Sequence, residues 1–287
     1  MQDKETIEAK RMSEKKNAVF LDLDGTLWDR EVVPSSAWKA IHKARENGHL
    51  VFVNTGRRED SIPQFLWDAD LDGYCLATGM DLVANGKGIE RHYMDPRKVE
   101  KMIAYLKSQG SGYGLETNTI GYDDPKYAFR RKIFYDKEGR KEPAHRMPLS
   151  QMPKYADREL VKIIFDSETP FELEETAAKM GFDMMTYKNK FNPTADLGSF
   201  FRGEITDARW NKASAMKAML EALNLNPSDY VITAVGDSKN DLPMMEAADL
   251  AVCMGNGTDD AKLAADYVTD SIYADGLYKA FDWLQVL

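Results

Sequence analysis

Two carboxylates stand directly after an apolar run that is typical of a buried strand. The run is Ala18–Leu21, and the segment Asp22-Leu23-Asp24-Gly25-Thr26 follows it. Open α/β sheets hold their ligands at the carboxyl ends of the strands, so a turn there can direct Asp22 and Asp24 into one cavity. Like charges at that spacing need a cation or a shared proton. An acidic turn without chemistry is the alternative interpretation of this pair taken alone.

Two more carboxylates follow a second predicted strand near the other end of the chain. The strand Tyr230–Val235 leads into Gly236-Asp237-Ser238-Lys239-Asn240-Asp241. Mg²⁺ prefers oxygen ligands and commonly binds one or two carboxylates together with waters and a substrate phosphate. The acids of the two turns therefore predict a Mg²⁺ site: Asp22, Asp24, Asp237 and Asp241.

Two further positions suit a phosphate group. Thr55 and Gly56 follow the predicted strand Leu50–Asn54, at a turn where backbone N–H groups favour an anion. A simple helix cap is the alternative there. Lys212 opens a predicted helix over Asn211–Leu223, where a cation opposes the helix macrodipole. A bound anion explains that placement, and a solvated surface lysine is the alternative.

Strands alternate with helices at both ends of the chain, which predicts a parallel sheet. Apart from the elements already named, the apolar periodicity predicts helices over 35–47, around 58–69 and from 242, and strands over 74–78 and 250–254. The expected fold class is therefore α/β, with a doubly wound, Rossmann-like parallel sheet.

The middle of the chain predicts an inserted α+β domain. Its expected elements are helices over 95–109 and 171–180, a strand over 160–165, and antiparallel strands in the Gly-rich and aromatic stretches 110–122 and 191–201. We expect an N-terminal tail at 1–16 that is a frayed helix or disordered, a core domain at 17–82 and 207–287, and the insert at 83–206. The basic run Arg130, Arg131 and Lys132 is interpreted as a solvated strand or turn, with contact to a second anionic group as the alternative.

Composition limits the classes of partner. The chain has 287 residues, with 38 basic and 47 acidic side chains and a net charge of −9, which argues against a nucleic-acid surface. There is no apolar run of membrane-spanning length, and residues 1–16 lack the apolar core of a signal peptide, so we expect a cytoplasmic protein with no membrane partner. Cys75 and Cys253 lie in apolar stretches and are expected to be core thiols. The oligomeric state stays open.

Taken in order, these motifs resemble the haloacid dehalogenase (HAD) superfamily of phosphotransferases. The long insert resembles the cap of the Cof-type, or type IIB, branch. Further similarity to that branch lies in Met254-Gly255-Asn256-Gly257, Lys262, Ala265-Asp266-Tyr267-Val268-Thr269 and Asp275-Gly276. Two segments depart from the usual pattern, namely Thr78-Gly79-Met80 and the bulky Trp210 before the helix that Lys212 opens.

The resemblance implies a role for each motif residue. Asp22 is the expected nucleophile that forms an aspartyl-phosphate, and Asp24 is the expected general acid and base. The implied metal ligands are the Asp22 carboxylate, the Asp24 main-chain carbonyl and Asp237, with Asp241 close by or acting through water. The implied phosphate-binding residues are Thr55, Gly56, Lys212 and Asn240.

The expected function is therefore a Mg²⁺-dependent phosphatase for a small phosphorylated metabolite, such as a sugar phosphate or a phosphorylated cofactor. A sugar phosphomutase of the same fold is the nearest alternative, since such enzymes use the same aspartate pair. A phospho-accepting signalling receiver also combines acids, a Thr and a Lys on a doubly wound sheet, but such modules are shorter and lack a large insert. A binding protein without catalysis is disfavoured because every motif acid is present.

Overall fold

The computed structural model describes residues 3–137, 139, 141–167, 170–187 and 200–287. Most of the aromatic stretch 191–201, for which strands and turns are predicted, lies outside these residues. The chain divides into two compact units. One consists of Met1–Arg57, Ile62–Arg91 and Trp210–Leu287, and the other of Arg58–Ser61 and His92–Arg209.

The strands and helices are numbered in chain order. The strands are β1 Lys16–Leu21, β2 Leu50–Asn54, β3 Gly73–Leu76, β4 Asp81–Ala84, β5 Lys87–Arg91, β6 Gly112–Glu116, β7 Gly121–Asp123, β8 Arg146–Pro148, β9 Lys162–Ser167, β10 Phe182–Thr186, β11 Phe201–Asp207, β12 Tyr230–Gly236, β13 Leu250–Cys253 and β14 Tyr267–Val268. The helices are α1 Lys4–Arg11, α2 Ser35–Glu46, α3 Gln64–Trp67, α4 Pro96–Ser108, α5 Pro125–Lys137, α6 Pro170–Lys179, α7 Lys212–Ala222, α8 Leu242–Ala247, α9 Asp259–Ala264 and α10 Gly276–Trp283.

The first unit is built on an eight-stranded sheet in the order β14-β13-β12-β1-β2-β3-β4-β5. The six strands from β14 to β3 are parallel, and β4 and β5 extend the sheet in antiparallel fashion. Strand β1 lies between β2 and β12, so the carboxyl ends of these three strands lie side by side. This α/β sheet, with helices on its two faces, confirms the predicted fold class.

Alternate residues of β1 enter two separate apolar cores. Val19 and Leu21 pack in the cluster that includes residues of α2 and α10, whereas Ala18 and Phe20 pack in the cluster that includes residues of α7 and α8. All four side chains are fully buried. A strand that is covered on both faces has a continuous run of apolar residues in its sequence. This explains why the apolar run after Asn17 forms a central strand of the sheet.

Two local expectations for the first unit were wrong. Residues 58–69 form a short 3₁₀ turn at Glu59–Ser61 and the four-residue helix α3 rather than one helix. Pro63 lies between them, and proline disfavours helical backbone at the residue before it. The unit also extends to Arg91, beyond the expected boundary at 82, because β4 and β5 continue the core sheet; the second boundary falls after Arg209 instead of 206.

The N-terminal segment is a helix that packs on the core unit. The Lys10 ammonium donates to the carbonyl of Asp249 at 2.9 Å, and Arg11 Nε donates to the carbonyl of Trp283 at 2.7 Å. The Arg11 guanidinium also lies 4.5 Å from the Trp283 ring centroid. The expectation of a frayed helix or a disordered tail at 1–16 is therefore partly wrong, because α1 is a helix with contacts to Asp249 and Trp283.

The second unit holds a six-stranded sheet in the order β10-β11-β9-β6-β7-β8, with helices α4, α5 and α6. Only the β7–β8 pair is parallel among the pairs that the structure describes there. It is the α+β insert that the sequence predicts. None of the helices described in either unit is both long and apolar enough to cross a membrane.

The interpretation of the basic run in the insert was wrong. Arg130, Arg131 and Lys132 lie within helix α5, and the two arginines are buried. Arg130 pairs with Asp166, and Arg131 Nε pairs with Asp123 Oδ2 at 3.1 Å. Only Lys132 is exposed. The arginines join the helix to the sheet through ion pairs, so they are not a solvated strand or turn.

Candidate active site

The adjoining ends of β1 and β12 bring three carboxylates together. The Asp22 N–H donates to the Val235 carbonyl at 2.9 Å, which continues the β1–β12 pairing by one residue past the end of β1. One carboxylate oxygen from each of Asp22, Asp237 and Asp241 lies within 4.8 Å of the other two. The sequence prediction that these acids share one site is consistent with this geometry. The Asp24 carboxylate lies outside this group of three.

Lys212 places an ammonium inside the carboxylate group. Its side chain is fully buried, and its Nζ donates to Asp22 Oδ1 and to Asp241 Oδ1. The alternative of a solvated surface lysine is therefore wrong. The position results from the start of α7, where Asn211 and Ser214 form a reciprocal capping box. Asn54, at the end of β2, fixes the same point by donating from Nδ2 to the Lys212 carbonyl at 2.8 Å.

The charges at this site are unbalanced. Burial and then the charge of Asp241 raise the pKa of Asp22 well above its usual value, although Lys212 opposes the shift. Burial and Asp241 also raise the pKa of Asp237 to about 6. Burial lowers the pKa of Lys212, but the two carboxylates outweigh it, so the net shift is upward and the ammonium stays charged. Three carboxylates against one ammonium make a site that attracts further positive charge.

Asp241 organises the turn after β12. Its Oδ2 accepts from the backbone N–H groups of Asp237 and Ser238, each at 2.9 Å, while its Oδ1 accepts from Lys212. Both oxygens therefore already have partners. Asn240 lies in the same turn, where its Oδ1 accepts from Ser238 Oγ at 2.6 Å, so its amide nitrogen is the group that it can offer to an anion.

The turn after β1 approaches Asp237 so closely that it requires a glycine. Gly25 has a φ of +89°, and a Cβ at this position would lie 2.6 Å from Asp237 Oδ2. The next residue, Thr26, is fully buried and donates from Oγ1 to Asp237 Oδ1 at 3.1 Å. The Gly-Thr pair after Asp24 therefore sets the distance between the two acidic turns.

Asp24 and Thr55 belong to the same edge of the sheet but have different partners. The Asp24 side chain is about half exposed and is paired with Arg57, and Asp24 Oδ1 also accepts from Trp28 Nε1 at 3.0 Å. Thr55 is buried at the end of β2, and its Oγ1 accepts from the Arg57 N–H at 3.2 Å. Gly56, which lies between Thr55 and Arg57 in the chain, is half-buried.

Sequence reasoning missed three contributors to this site. Thr26 holds Asp237, Asn54 holds the start of α7, and Arg57 holds Asp24. Thr26 and Asn54 lie within the predicted strand-end segments and Arg57 directly follows Gly56, but only their neighbours were given roles. The available signal for Asn54 was a polar residue closing an otherwise apolar strand, because a buried amide needs a hydrogen-bond partner.

The donor set fits a hard divalent cation. The oxygens of Asp22 and Asp237 lie close together, and burial and mutual repulsion raise the pKa of both carboxyls. Mg²⁺ uses oxygen ligands of this kind and keeps several waters. Asp241 fits less well as a direct ligand, because its two oxygens serve Lys212 and the turn.

Comparison with known proteins identifies relatives over nearly the whole chain. A family described as haloacid dehalogenase-like hydrolase matches residues 19–281. A phosphoglycolate phosphatase of Methanothermobacter thermautotrophicus is 29% identical over 264 residues, which cover 92% of this chain and 96% of that protein. The 5-amino-6-(5-phospho-D-ribitylamino)uracil phosphatase YcsE of Bacillus subtilis is 25% identical over 266 residues, with 91% and 93% covered.

The fold has counterparts among solved structures. The sugar phosphatase BT4131, of HAD subclass IIB, superposes with a TM-score of 0.74 at 22% sequence identity. The match covers 95% of this chain and all of that one. The likeness therefore includes both units and extends through the insert.

Proposed function

This chain belongs to the haloacid dehalogenase-like hydrolases and is a phosphatase of that family, and from this premise we propose that it hydrolyses a small phosphorylated metabolite with Mg²⁺ through an aspartyl-phosphate. The observation that carries the proposal is the cluster of buried Lys212, at the start of α7, with buried Asp22 and half-buried Asp237, which follow the adjacent strands β1 and β12. Phosphoryl transfer depends mainly on positioning and on charge stabilisation, and this cluster supplies both.

The two aspartates of the first turn divide the chemistry. A carboxylate oxygen of Asp22 attacks phosphorus while the bond from phosphorus to the ester oxygen breaks, and Asp24 gives its proton to that leaving oxygen. A water then gives a proton to Asp24 and attacks the aspartyl-phosphate. This second step releases inorganic phosphate and restores the Asp22 carboxylate.

The remaining residues bind and orient. We propose that Lys212, which contacts Asp22, neutralises charge on the transferring group, and that Thr55, Gly56 and Asn240 bind the phosphate. Asp22, Asp237 and the Asp24 carbonyl would hold Mg²⁺, with Asp241 positioning Lys212 and the turn. When bound, the ion would lower the repulsion between the nucleophile and the phosphate.

The substrate class is a phosphomonoester of a small metabolite. The relatives described above are named for different phosphorylated compounds, phosphoglycolate and a phosphorylated ribitylaminouracil. A panel that includes both compounds and a series of sugar phosphates, assayed for phosphate release with Mg²⁺, would identify the preferred substrate. Transfer of phosphate to a second hydroxyl, without phosphate release, would indicate a phosphomutase instead.

The mechanism is tested by Asp22→Asn with Asp229→Asn as its control. Asp229 is exposed and immediately precedes β12, at the opposite end of the strand from Asp237. We expect Asp22→Asn to abolish turnover and labelling by phosphate from substrate, and Asp229→Asn to behave as wild type. Asp24→Asn should turn over slowly and accumulate labelled protein. Near-normal turnover by folded Asp22→Asn, or activity that survives exhaustive chelation, would contradict the proposal.

A further inference from the structure

Arg57 makes a two-point contact with the proposed acid and base. Its Nε donates to Asp24 Oδ2 and its Nη2 donates to Asp24 Oδ1, both at 2.7 Å. Paired, parallel hydrogen bonds of this kind fix the plane of a carboxylate as well as its distance. The proposed phosphoryl-transfer steps do not by themselves require this contact.

Arg57 is itself held in place on several sides. Its guanidinium lies 4.7 Å from the centroid of the Trp28 ring, which is fully buried, and its Nη1 lies 3.6 Å from Glu31 Oε1. Its backbone N–H donates to Thr55 Oγ1. The arginine therefore links Asp24 to the turn after β2, where the phosphate is proposed to bind.

The two carboxylate oxygens of Asp24 accept different numbers of hydrogen bonds. Among the described residues, Oδ1 accepts from both Arg57 Nη2 and Trp28 Nε1, whereas Oδ2 accepts from Arg57 Nε alone. A carboxylate offers about two acceptor positions on each oxygen. Oδ1 is therefore saturated, and Oδ2 keeps one position available.

We propose that Arg57 is a positioning residue for Asp24, and that with Trp28 it selects Oδ2 as the oxygen that exchanges the proton with the ester oxygen and then with water. The inference rests on the proposed function. Arg57 acts through Asp24 and needs no contact with the reacting atoms. The proton leaves Asp24 Oδ2 for the ester oxygen as the phosphorus–oxygen bond breaks, and returns to Oδ2 from the attacking water.

Leaving-group dependence separates this role from a general structural one. An alkyl phosphate releases a strongly basic alkoxide that needs a proton, whereas 2,4-dinitrophenyl phosphate releases a weakly basic anion that does not. We expect Arg57→Ala to lower kcat/KM for the alkyl substrate by at least about tenfold, a part of the 10²–10⁴ that a general acid supplies, and for the dinitrophenyl ester by less than about threefold. Arg57→Lys keeps the charge but loses the planar fork, so it should resemble Arg57→Ala.

A double-mutant cycle tests whether Arg57 works through Asp24. In an Asp24→Asn background, Arg57→Ala should have almost no further effect on the alkyl substrate, because the group that it positions is already lost. Trp28→Phe, which removes the N–H donor to Oδ1 together with part of the buried ring, should show the same leaving-group selectivity to a smaller degree. All variants are compared as full-length, folded proteins with Mg²⁺ present.

Arg45 provides a matched control within the same unit. It forms an equivalent fork with Asp72, with Nε–Oδ2 and Nη2–Oδ1 distances of 3.0 Å, and it is not part of the site. Arg45→Ala should leave the leaving-group dependence unchanged. Equal losses for both substrates in Arg57→Ala, full rescue by Arg57→Lys, or an undiminished effect in the Asp24→Asn background would each overturn the inference. Absence of turnover in the wild type would overturn the proposed function, and this inference with it.

Discussion

Replacing Lys212 by methionine tests the buried ion cluster most directly. The Lys212 side chain is fully buried between Asp22 and Asp241, which are themselves almost completely buried. Removing one member of a buried ion pair costs about 3–5 kcal/mol, because the remaining charge has no partner. We expect Lys212→Met to lower the free energy of unfolding of the core unit by about that amount in chelator-containing buffer.

Tryptophan fluorescence in a urea titration measures this loss in the relevant unit. The five tryptophans all lie in the first unit: Trp28, Trp38, Trp67, Trp210 and Trp283. The signal therefore reports the unfolding of the core sheet and not that of the insert. Separate transitions of the two units do not confuse the result, because only one of them is observed.

Two further variants provide a control and test whether the unpaired charge causes the loss of stability. The control is Lys217→Met on the same helix. The Lys217 side chain is exposed, and its ion pair with Glu221, at 3.7 Å, is long and solvated, so we expect the free energy of unfolding to change by no more than about 0.5 kcal/mol. Lys212→Met combined with Asp241→Asn removes charges of both signs and should be less destabilised than the sum of the single variants. A loss below about 1 kcal/mol for Lys212→Met, similar to the control, would refute the reasoning.

Other expectations concern the core unit away from the catalytic chemistry. Burial and a nearby lysine lower the pKa of His49 from 6.5 to about 4, so stability that is complete above pH 6.5 should decline as the pH falls toward 4, and His49→Asn should reduce this decline in acid-unfolding curves. Gly79→Ala should destabilise the protein by about 1–3 kcal/mol in urea titration, because the new Cβ would lie 2.7 Å from that of Ala215. Gly86→Ala, where φ is also positive but no atom lies within 4 Å, should cost clearly less. Burial raises the pKa of both cysteine thiols, so a disulfide reagent should find almost no reactive thiol in the native protein and two after unfolding; a fast native reaction would contradict this.

The fold and the strand-end positions of the candidate site could be predicted because their signals are local. Apolar runs ending in acidic turns marked β1 and β12, and strand ends of a parallel sheet share one edge. The environment of Lys212 was not predictable in this way. Its partner Asp22 lies 190 positions away in the chain, and only the assembled sheet shows that the lysine is buried.

The errors have equally physical causes. Arg130 and Arg131 look solvated in sequence because hydrophobic patterning takes no account of ion pairs, and their partners Asp166 and Asp123 stand on separate strands. The prediction of one helix over 58–69 did not take into account that Pro63 disfavours helical backbone at the residue before it. Arg57 was missed because its side chain contributes through the orientation of Asp24, which no spacing in the sequence shows.

The position of β1 between β2 and β12 also bears on how the chain folds during its synthesis. Asn17 and Thr233 are joined by a side-chain hydrogen bond across this strand pair although they lie 216 residues apart. At about 5–20 residues per second, a ribosome needs roughly 10–40 s to make the intervening chain. Throughout that interval, one edge of β1, whose residues Ala18–Leu21 are fully buried in the folded sheet, lacks its native neighbour, and an unpaired edge is a template for aggregation. We therefore expect nascent chains to need protection at β1 until β12 emerges.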